Sequence, residues 1–352
     1  MDVPIAPIPE IGRPHVLVLG AGASLAAFPN GDKRGIRLPL MNNLVEVLEL
    51  GPLLDDHEIE HRGVNFETLY SRLVVDGKHS GVVRSVEQAV FNYFGRLRLP
   101  DHPTLYDHLV LSLRPKDFIA TFNWDPFLEQ AIQRNYVDRH LKPPRFTHLH
   151  GCVSLAYCDR HQPLTFGRTG IKCKRCGEPT LPMHLLFPVT KKDYNADPHC
   201  VVAWHDVKMV LGHALLFTAF GYGAPSTDVE AVSLLRKGWG EPEGRRFEET
   251  EIIDIREEDD LLATWTPFIH SHHYDIRGTF YESWAALHPR RSCEALWNEK
   301  MMCEPEEERP IPVALDFPEL WNWYEPLLRQ EREHDATRRD SAGHEFRPKA
   351  SP

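Results

Sequence analysis

The sequence predicts an α/β protein: a doubly wound, Rossmann-like parallel sheet with an inserted helical region and a small zinc-binding module. Three observations predict it. The apolar runs in "HVLVLGAGAS", "DFIATFNWD" and "ALLFTAFGYG" are continuous rather than alternating, which marks strands buried on both faces. Between them, apolar residues recur at three- and four-residue steps, as in helices packed on a sheet. Residues 152–182 break that rhythm with a concentration of Cys, Gly, Pro and basic side chains.

Taken in order, residues 1–13 are proline-rich and read as an extended arm. "HVLVLG" is the first strand. "LPLMNNLVEVLEL", "NFETLYSRLVV" and "GVVRSVEQAVFNYFGRL" then carry helical periodicity, giving a helical insertion over about 40–105. "DFIATFNWD" is the second strand and leads into the helix "PFLEQAIQRNY", with Pro126 suited to a first turn. "FTHLHG" is a third, shorter strand. After the metal module at about 151–182, the pattern resumes with "ALLFTAFGYG", a helix through "DVEAVSLLRKGW" and the strand "EIIDI". One domain over 14–300 follows, with a C-terminal extension over 301–352 that holds the aromatic "PELWNWYEPL" and a polar, flexible tail.

The chain has 352 residues, enough for a substantial core, and its 42% hydrophobic and 26% charged residues are ordinary for a globular protein. A net charge of −11 speaks against coating nucleic acid or anionic membrane. The longest apolar runs are too short to span a bilayer, and the first residues lack the basic-then-apolar pattern of a leader. Seven cysteines, an odd number with one Cys-x2-Cys pair, favour reduced thiols and a metal over disulfides, and so a cytoplasmic protein.

The chemistry-bearing residues cluster at strand ends, where open α/β sheets bind ligands. Gly20 and Gly22 follow the first strand, where glycines let backbone approach a phosphate; Leu25 stands where the full dinucleotide fingerprint has glycine. Asn123 and Asp125 end the second strand, a position that also suits helix capping. His148 and His150, two residues apart, should share a face if the third strand runs through both. Gly221, Gly223, Ser226 and Asp228 follow the fourth, where a glycine turn and a helix cap would serve equally. In the module, Cys158 and His161 repeat the spacing of Cys173 and Cys176, the paired knuckles of a closed structural zinc site. Cys152 is the alternative to His161 as fourth ligand.

In that order, "GAGAS", "TFNWD", "HLHG", the split zinc module and "FGYGAPSTD" resemble the sirtuin family over residues 14–290. The resemblance implies NAD as substrate and a structural Zn2+. It assigns Ala21, Gly22 and Ser24 to the NAD phosphates, with Gly20 also cofactor-binding, and Asn123 and Asp125 to the nicotinamide ribose and amide. It makes His150 the general base and puts Gly221, Ser226 and Asp228 near the adenosine half, with Gly223 among the cofactor-binding residues.

Two departures stand out. "GIRLPL" replaces the loop that follows the first motif in protein deacylases, and "LLFPVTKKDY" replaces their peptide-clasping segment. The second resembles bacterial sirtuin-like domains of anti-phage defence, which hydrolyse NAD. The resemblance therefore implies an NAD glycohydrolase, with control through homo-oligomerisation or a partner protein of a defence system. A protein-lysine deacylase using the same site is the alternative, and a non-catalytic NAD or ADP-ribose module the third reading.

Overall fold

The computed structural model describes residues 12–161, 164–166, 171–189, 194, 197–224 and 228–341. β1 (His15–Leu19) and α1 (Ala21–Ala27) precede the helical insertion, α2 (Leu44–Val47), α3 (Gly51–Asp55), α4 (Phe66–Asp76) and α5 (Ser80–Gly95), and then α6 (Leu105–Leu111). β2 (Phe118–Thr121) leads into α7 (Phe127–Ile132), which continues as a π turn over Gln133–Val137 before β3 (Arg145–His148). The cysteine-rich module carries β4 (Leu155–Tyr157), β5 (Leu164–Phe166) and β6 (Leu181–Pro182). After it come α8 (Pro198–Leu211), β7 (Leu216–Phe220), α9 (Val229–Trp239), β8 (Glu249–Ile253), α10 (Glu258–Trp265) and β9 (Tyr274–Arg277). The last helices are α11 (Trp284–Leu287), α12 (Ser292–Met302) and α13 (Phe317–Ser341).

The main sheet has the order β3-β2-β1-β7-β8-β9, with every neighbouring pair parallel. The chain builds outward from β1 in one direction and, after returning to β7, in the other. The gap between β1 and β7 is therefore the topological switch point, where open α/β sheets leave a crevice beyond the carboxyl ends. The register keeps those ends level, since Leu19 faces both Thr121 and Phe220, and Thr121 faces His148. Gly20, Phe122, Leu149 and Gly221 thus leave the sheet along one edge.

Both faces of the sheet are covered, which is why β1, β2 and β7 are uniformly buried. Val16, Val18, Phe118, Ala120 and Phe217 pack against Trp204, Val207 and Leu211 of α8, Leu235 and Trp239 of α9, and Trp265 of α10. Each large apolar side chain so buried contributes roughly 1.5–3 kcal/mol. On the opposite face Leu216 meets Trp284 of α11 and Cys293 and Leu296 of α12.

One polar chain crosses this interior. Ser292 Oγ bonds His15 Nδ1 (2.9 Å), His15 Nε2 bonds Thr218 Oγ1 (2.7 Å), and Thr218 donates to Glu251 Oε2 (2.8 Å). Because Thr218 donates to Glu251, it accepts from His15, so Nε2 carries the ring proton and Nδ1 accepts from Ser292. Burial, helped by Lys116, drives the His15 pKa down to about 3. The ring is a neutral structural part.

The expected helices of the insertion and all five expected strands are present, with two differences in detail. The strand expected through "FTHLHG" stops at His148, so alternation does not carry through to His150. β9 is an additional edge strand. The module forms its own antiparallel sheet, β5-β4-β6. The chain divides into two compact units, Met1–Ile311 and Pro312–Pro352; among the described residues the second carries α13. No helix among the described residues is long and apolar enough to cross a membrane.

Candidate active site

At the switch point the two turns interlock. Gly20 N donates to Phe220 O (3.0 Å) and Gly22 N to Gly221 O (2.9 Å). A Cβ on Gly20 would lie 2.5 Å from Gly221 O, and one on Gly22 would lie 2.7 Å from Gly221 Cα. Gly221 itself has φ +60°, and a Cβ there would strike Ala23 N. The glycines are thus demanded by the approach of one backbone to the other. Two of the N–H groups expected to face a phosphate are occupied within the protein. Ala21 is exposed beside them.

Behind the turn lies a buried network. Ser24 Oγ donates to Asp125 Oδ2 (2.7 Å) and accepts from Tyr106 OH (2.7 Å) and from Asn123 Nδ2 (3.0 Å). Asn123 Nδ2 also donates to Gly20 O (2.9 Å). Asn123 Oδ1 has no protein partner among the described residues and remains an acceptor for a bound hydroxyl or water. Asp125 Oδ1 accepts from Phe127 N (3.3 Å), part of the capping expected of it. Burial raises its carboxyl to about 6, with the Ser24 bond pulling the other way.

Tyr106 was not legible as a site residue. It reaches Ser24 because α6 is clamped at its start by a Thr104–Asp107 capping box, and Asp107 in turn takes Arg134 and Asn135 from the π turn.

His150 leaves the edge of β3 in a turn that needs Gly151 at φ +78°, because a side chain there would run into His184 O. The imidazole lies edge-on to Phe122 (centroids 4.8 Å apart), and its Nε2 is 2.8 Å from Tyr194 OH. Tyr194 OH donates to Asp228 Oδ1 (3.1 Å), and Tyr222 OH donates to Asp228 Oδ2 (3.0 Å). The resemblance puts Asp228 near the adenosine half; its carboxylate is turned instead toward the tyrosines at His150. Gly223 is exposed with open space around it. Ser226 lies outside the described residues.

A roof of aromatic rings covers this edge. Phe187, in the segment that departs from deacylases, lies against Trp124 (5.0 Å) and stacks on Tyr70 of α4 (4.9 Å), while Trp124 also meets Phe94 of α5 (5.7 Å). The helical insertion therefore closes over "TFNWD".

Cys158, His161, Cys173 and Cys176 bring their ligand atoms together in the module. Cys158 Sγ is 3.6 Å from His161 Nδ1 and from Cys176 Sγ, and Cys173 Sγ is 3.6 Å from His161 Nδ1. Zinc–sulfur bonds of about 2.3 Å give tetrahedral edges of about 3.8 Å, so the four donors fit zinc with no open position. Backbone N–H groups of Cys176 and then Arg175 pull the Cys173 thiol down to about 6, toward the ligating thiolate. A closed Cys3His set of this kind could hold a structural Zn2+.

Cys152 does not join that set. It follows the Gly151 turn back under the sheet to Glu129 and His148, and all three are buried. His148 Nε2 lies 2.5 Å from Glu129 Oε1, yet neither residue's polar atoms make a well-aligned hydrogen bond. Cys152 Sγ faces Asp125 O (3.4 Å) and Ser154 Oγ (3.1 Å). Burial pushes the Glu129 carboxyl up, but the charge and contact of His148 outweigh it and hold the group below its ordinary range. The arrangement is a buried histidine–carboxylate contact between α7 and the end of β3. His148 and His150 thus serve different clusters.

No family model matches the chain, and no curated protein matches it. Solved structures with a similar course include a Sir2 homologue in complex with NAD, 15% identical over 81% of this chain and 88% of that one, with a TM-score of 0.36. Another is a Sir2 homologue variant with 2′-O-acetyl ADP-ribose, 13% identical over 82% and 92%, TM-score 0.39. A third, Sir2Tm bound to a propionylated peptide, is 16% identical over 70% and 82%, TM-score 0.33. At TM-scores below 0.5 this likeness adds no weight to the strand order and side-chain geometry of the chain itself.

Proposed function

We propose that this chain hydrolyses NAD to nicotinamide and ADP-ribose. The observation that carries the reading is that the motif residues of four adjacent strands leave one level edge at the switch point: His150 after β3, Asn123 and Asp125 after β2, Gly20 to Ser24 after β1, and Gly221 to Asp228 before α9. In this reading Asn123 Oδ1 orients the attacking water, Asp125 grips the carboxamide N–H, and His150 takes the proton. The nicotinamide–ribose bond breaks through an oxocarbenium-like state, which buried oriented dipoles stabilise. Zinc, held by Cys158, His161, Cys173 and Cys176, supplies only a fixed module.

Hydrolysis is favoured over lysine deacylation by the segment after the module. Met183–Val189 forms no strand, and its Phe187 turns inward to Trp124 and Tyr70. A peptide substrate added as a strand needs an open edge at that place. Control by self-assembly or by a partner protein, as in defence systems, belongs to the same proposal.

The test is incubation with NAD, following nicotinamide and ADP-ribose by chromatography, with a His150→Ala control and an acetyl-lysine peptide in parallel. ADP-ribose released without peptide and lost in the variant is the expected result. O-acetyl-ADP-ribose formed only with peptide would replace hydrolysis by deacylation.

A further inference from the structure

We infer that Tyr194 and Asp228 are positioning residues behind His150, fixing its ring with the proton on Nε2 so that Nδ1 is the basic nitrogen. The inference rests on His150 as the base in the proposed hydrolysis, but its geometry stands independently of turnover.

The two hydrogen bonds of the Tyr194 hydroxyl give the assignment. A carboxylate only accepts, so the Tyr194 O–H at 3.1 Å points to Asp228 Oδ1. With its proton committed, the phenol oxygen is the acceptor toward His150 Nε2 at 2.8 Å, and that nitrogen must carry hydrogen. Burial first, and then the charge of Asp228, hold the Tyr194 phenol far above its ordinary range, so it stays O–H.

Asp228 has given up its ordinary local task to do this. It occupies the N-cap of α9, where an aspartate side chain normally accepts from the first helical N–H groups, yet it makes no cap bond. Its oxygens go instead to two phenols, Tyr194 and Tyr222. Tyr194 is steadied by Trp204 at 5.1 Å edge-to-face, and its ring lies within 20° of parallel to that of His150. Aspartate, phenol and imidazole come from three separate parts of the chain and meet in the buried interior.

The chemistry follows directly. Nδ1 takes a proton from the attacking water while the water oxygen bonds the ribose C1′. The electron pair of the C–N bond leaves with nicotinamide, which departs neutral. The ring becomes imidazolium, its Nε2–H still held by Tyr194, with the Asp228 charge one phenol away. No proton passes along the relay; the one on Nδ1 returns to solvent.

The test reads the tautomer itself. 15N spectra of imidazole-labelled protein, with His150→Ala to assign the signal, are expected to show a single Nε2–H form of His150 in the wild type. Tyr194→Phe and Asp228→Asn should each give a mixture of tautomers. In the NAD assay both should lower kcat by about 10- to 100-fold with KM within about two-fold. Tyr222→Phe, which leaves the Tyr194 bond in place, should keep the Nε2–H tautomer. An Nδ1–H form in the wild type overturns the assignment, as do unchanged spectra in both variants. Faster turnover in Tyr194→Phe would make the tyrosine a block on the site and overturn the positioning role. If no chain turns over NAD, the spectra still decide the relay while the hydrolase reading falls.

Discussion

His15 and His150 are built alike and placed differently. Each is buried, and each passes Nε2–H to a hydroxyl that donates to a carboxylate: Thr218 and Glu251 for His15, Tyr194 and Asp228 for His150. But His15 begins β1 and has its second nitrogen filled by Ser292, deep between the sheet and α12. His150 lies past the carboxyl end of β3, on the edge where the strand order reverses. A buried hydrogen-bonded chain is therefore no mark of function by itself. What separates the two is position relative to the carboxyl ends of the parallel strands, where open α/β sheets bind ligands.

The largest expected effect tests that separation directly. His150→Ala should lower the rate of nicotinamide release per folded molecule by about 10²- to 10⁴-fold. A comparable rate loss in a His15 variant that remains folded would erase the contrast.

Next in size is the zinc set, which supports the edge without touching it. Metal analysis should find about one zinc per chain, lost on Cys173→Ser or His161→Ala and kept in Cys152→Ala. Zinc lost in Cys152→Ala would move the fourth ligand back to the sheet.

For His15 the expected cost is stability. His15→Gln should destabilise the fold by about 1–3 kcal/mol, because Ser292 and Thr218 lose aligned partners, while turnover per folded molecule holds. The pH dependence has a definite sign. The folded ring is depressed to about 3, so the unfolded chain binds the extra proton below 6.5 and the wild type weakens as pH falls. The variant lacks that proton, and its deficit should shrink from pH 6.5 downward in thermal scans.

The smallest effect belongs to Asp125. Its carboxyl is raised to about 6 by burial, so NAD turnover should fall below pH 6 as the group protonates, and Asp125→Asn should flatten that limb. A raised carboxyl binds more protons folded than unfolded, so the wild type loses stability as pH rises from about 4 to 6. The variant should gain relative to it over the same range.

The central strands were legible because burial on both faces writes an unbroken apolar run, as in "HVLVL" and "LFTAF". β9 was not, because "YDIR" is a short, half-buried edge strand whose apolar pattern is broken by Asp275 and Arg277. The strand-end residues Asn123, Asp125 and His150 could be picked out by position. Their partners could not: Tyr106 arrives on α6 and Tyr194 from the chain after the module, and sequence spacing says nothing about such meetings. The choice between His161 and Cys152 was equally closed to spacing. It is made by topology, since Cys152 stays with the main sheet at the Gly151 turn while Cys158 and His161 travel with β4.

The clasp of Gly20 and Gly22 against Gly221 sets when this site can exist. Its two halves are joined by the whole chain from β1 to β7, so the contact is non-local and cannot close until that entire span has been made. Until β7 docks beside β1, residues 20–125 carry half a crevice and Asp228 has nothing to orient. Whatever chemistry the edge performs is withheld until β7 has been made and has docked beside β1.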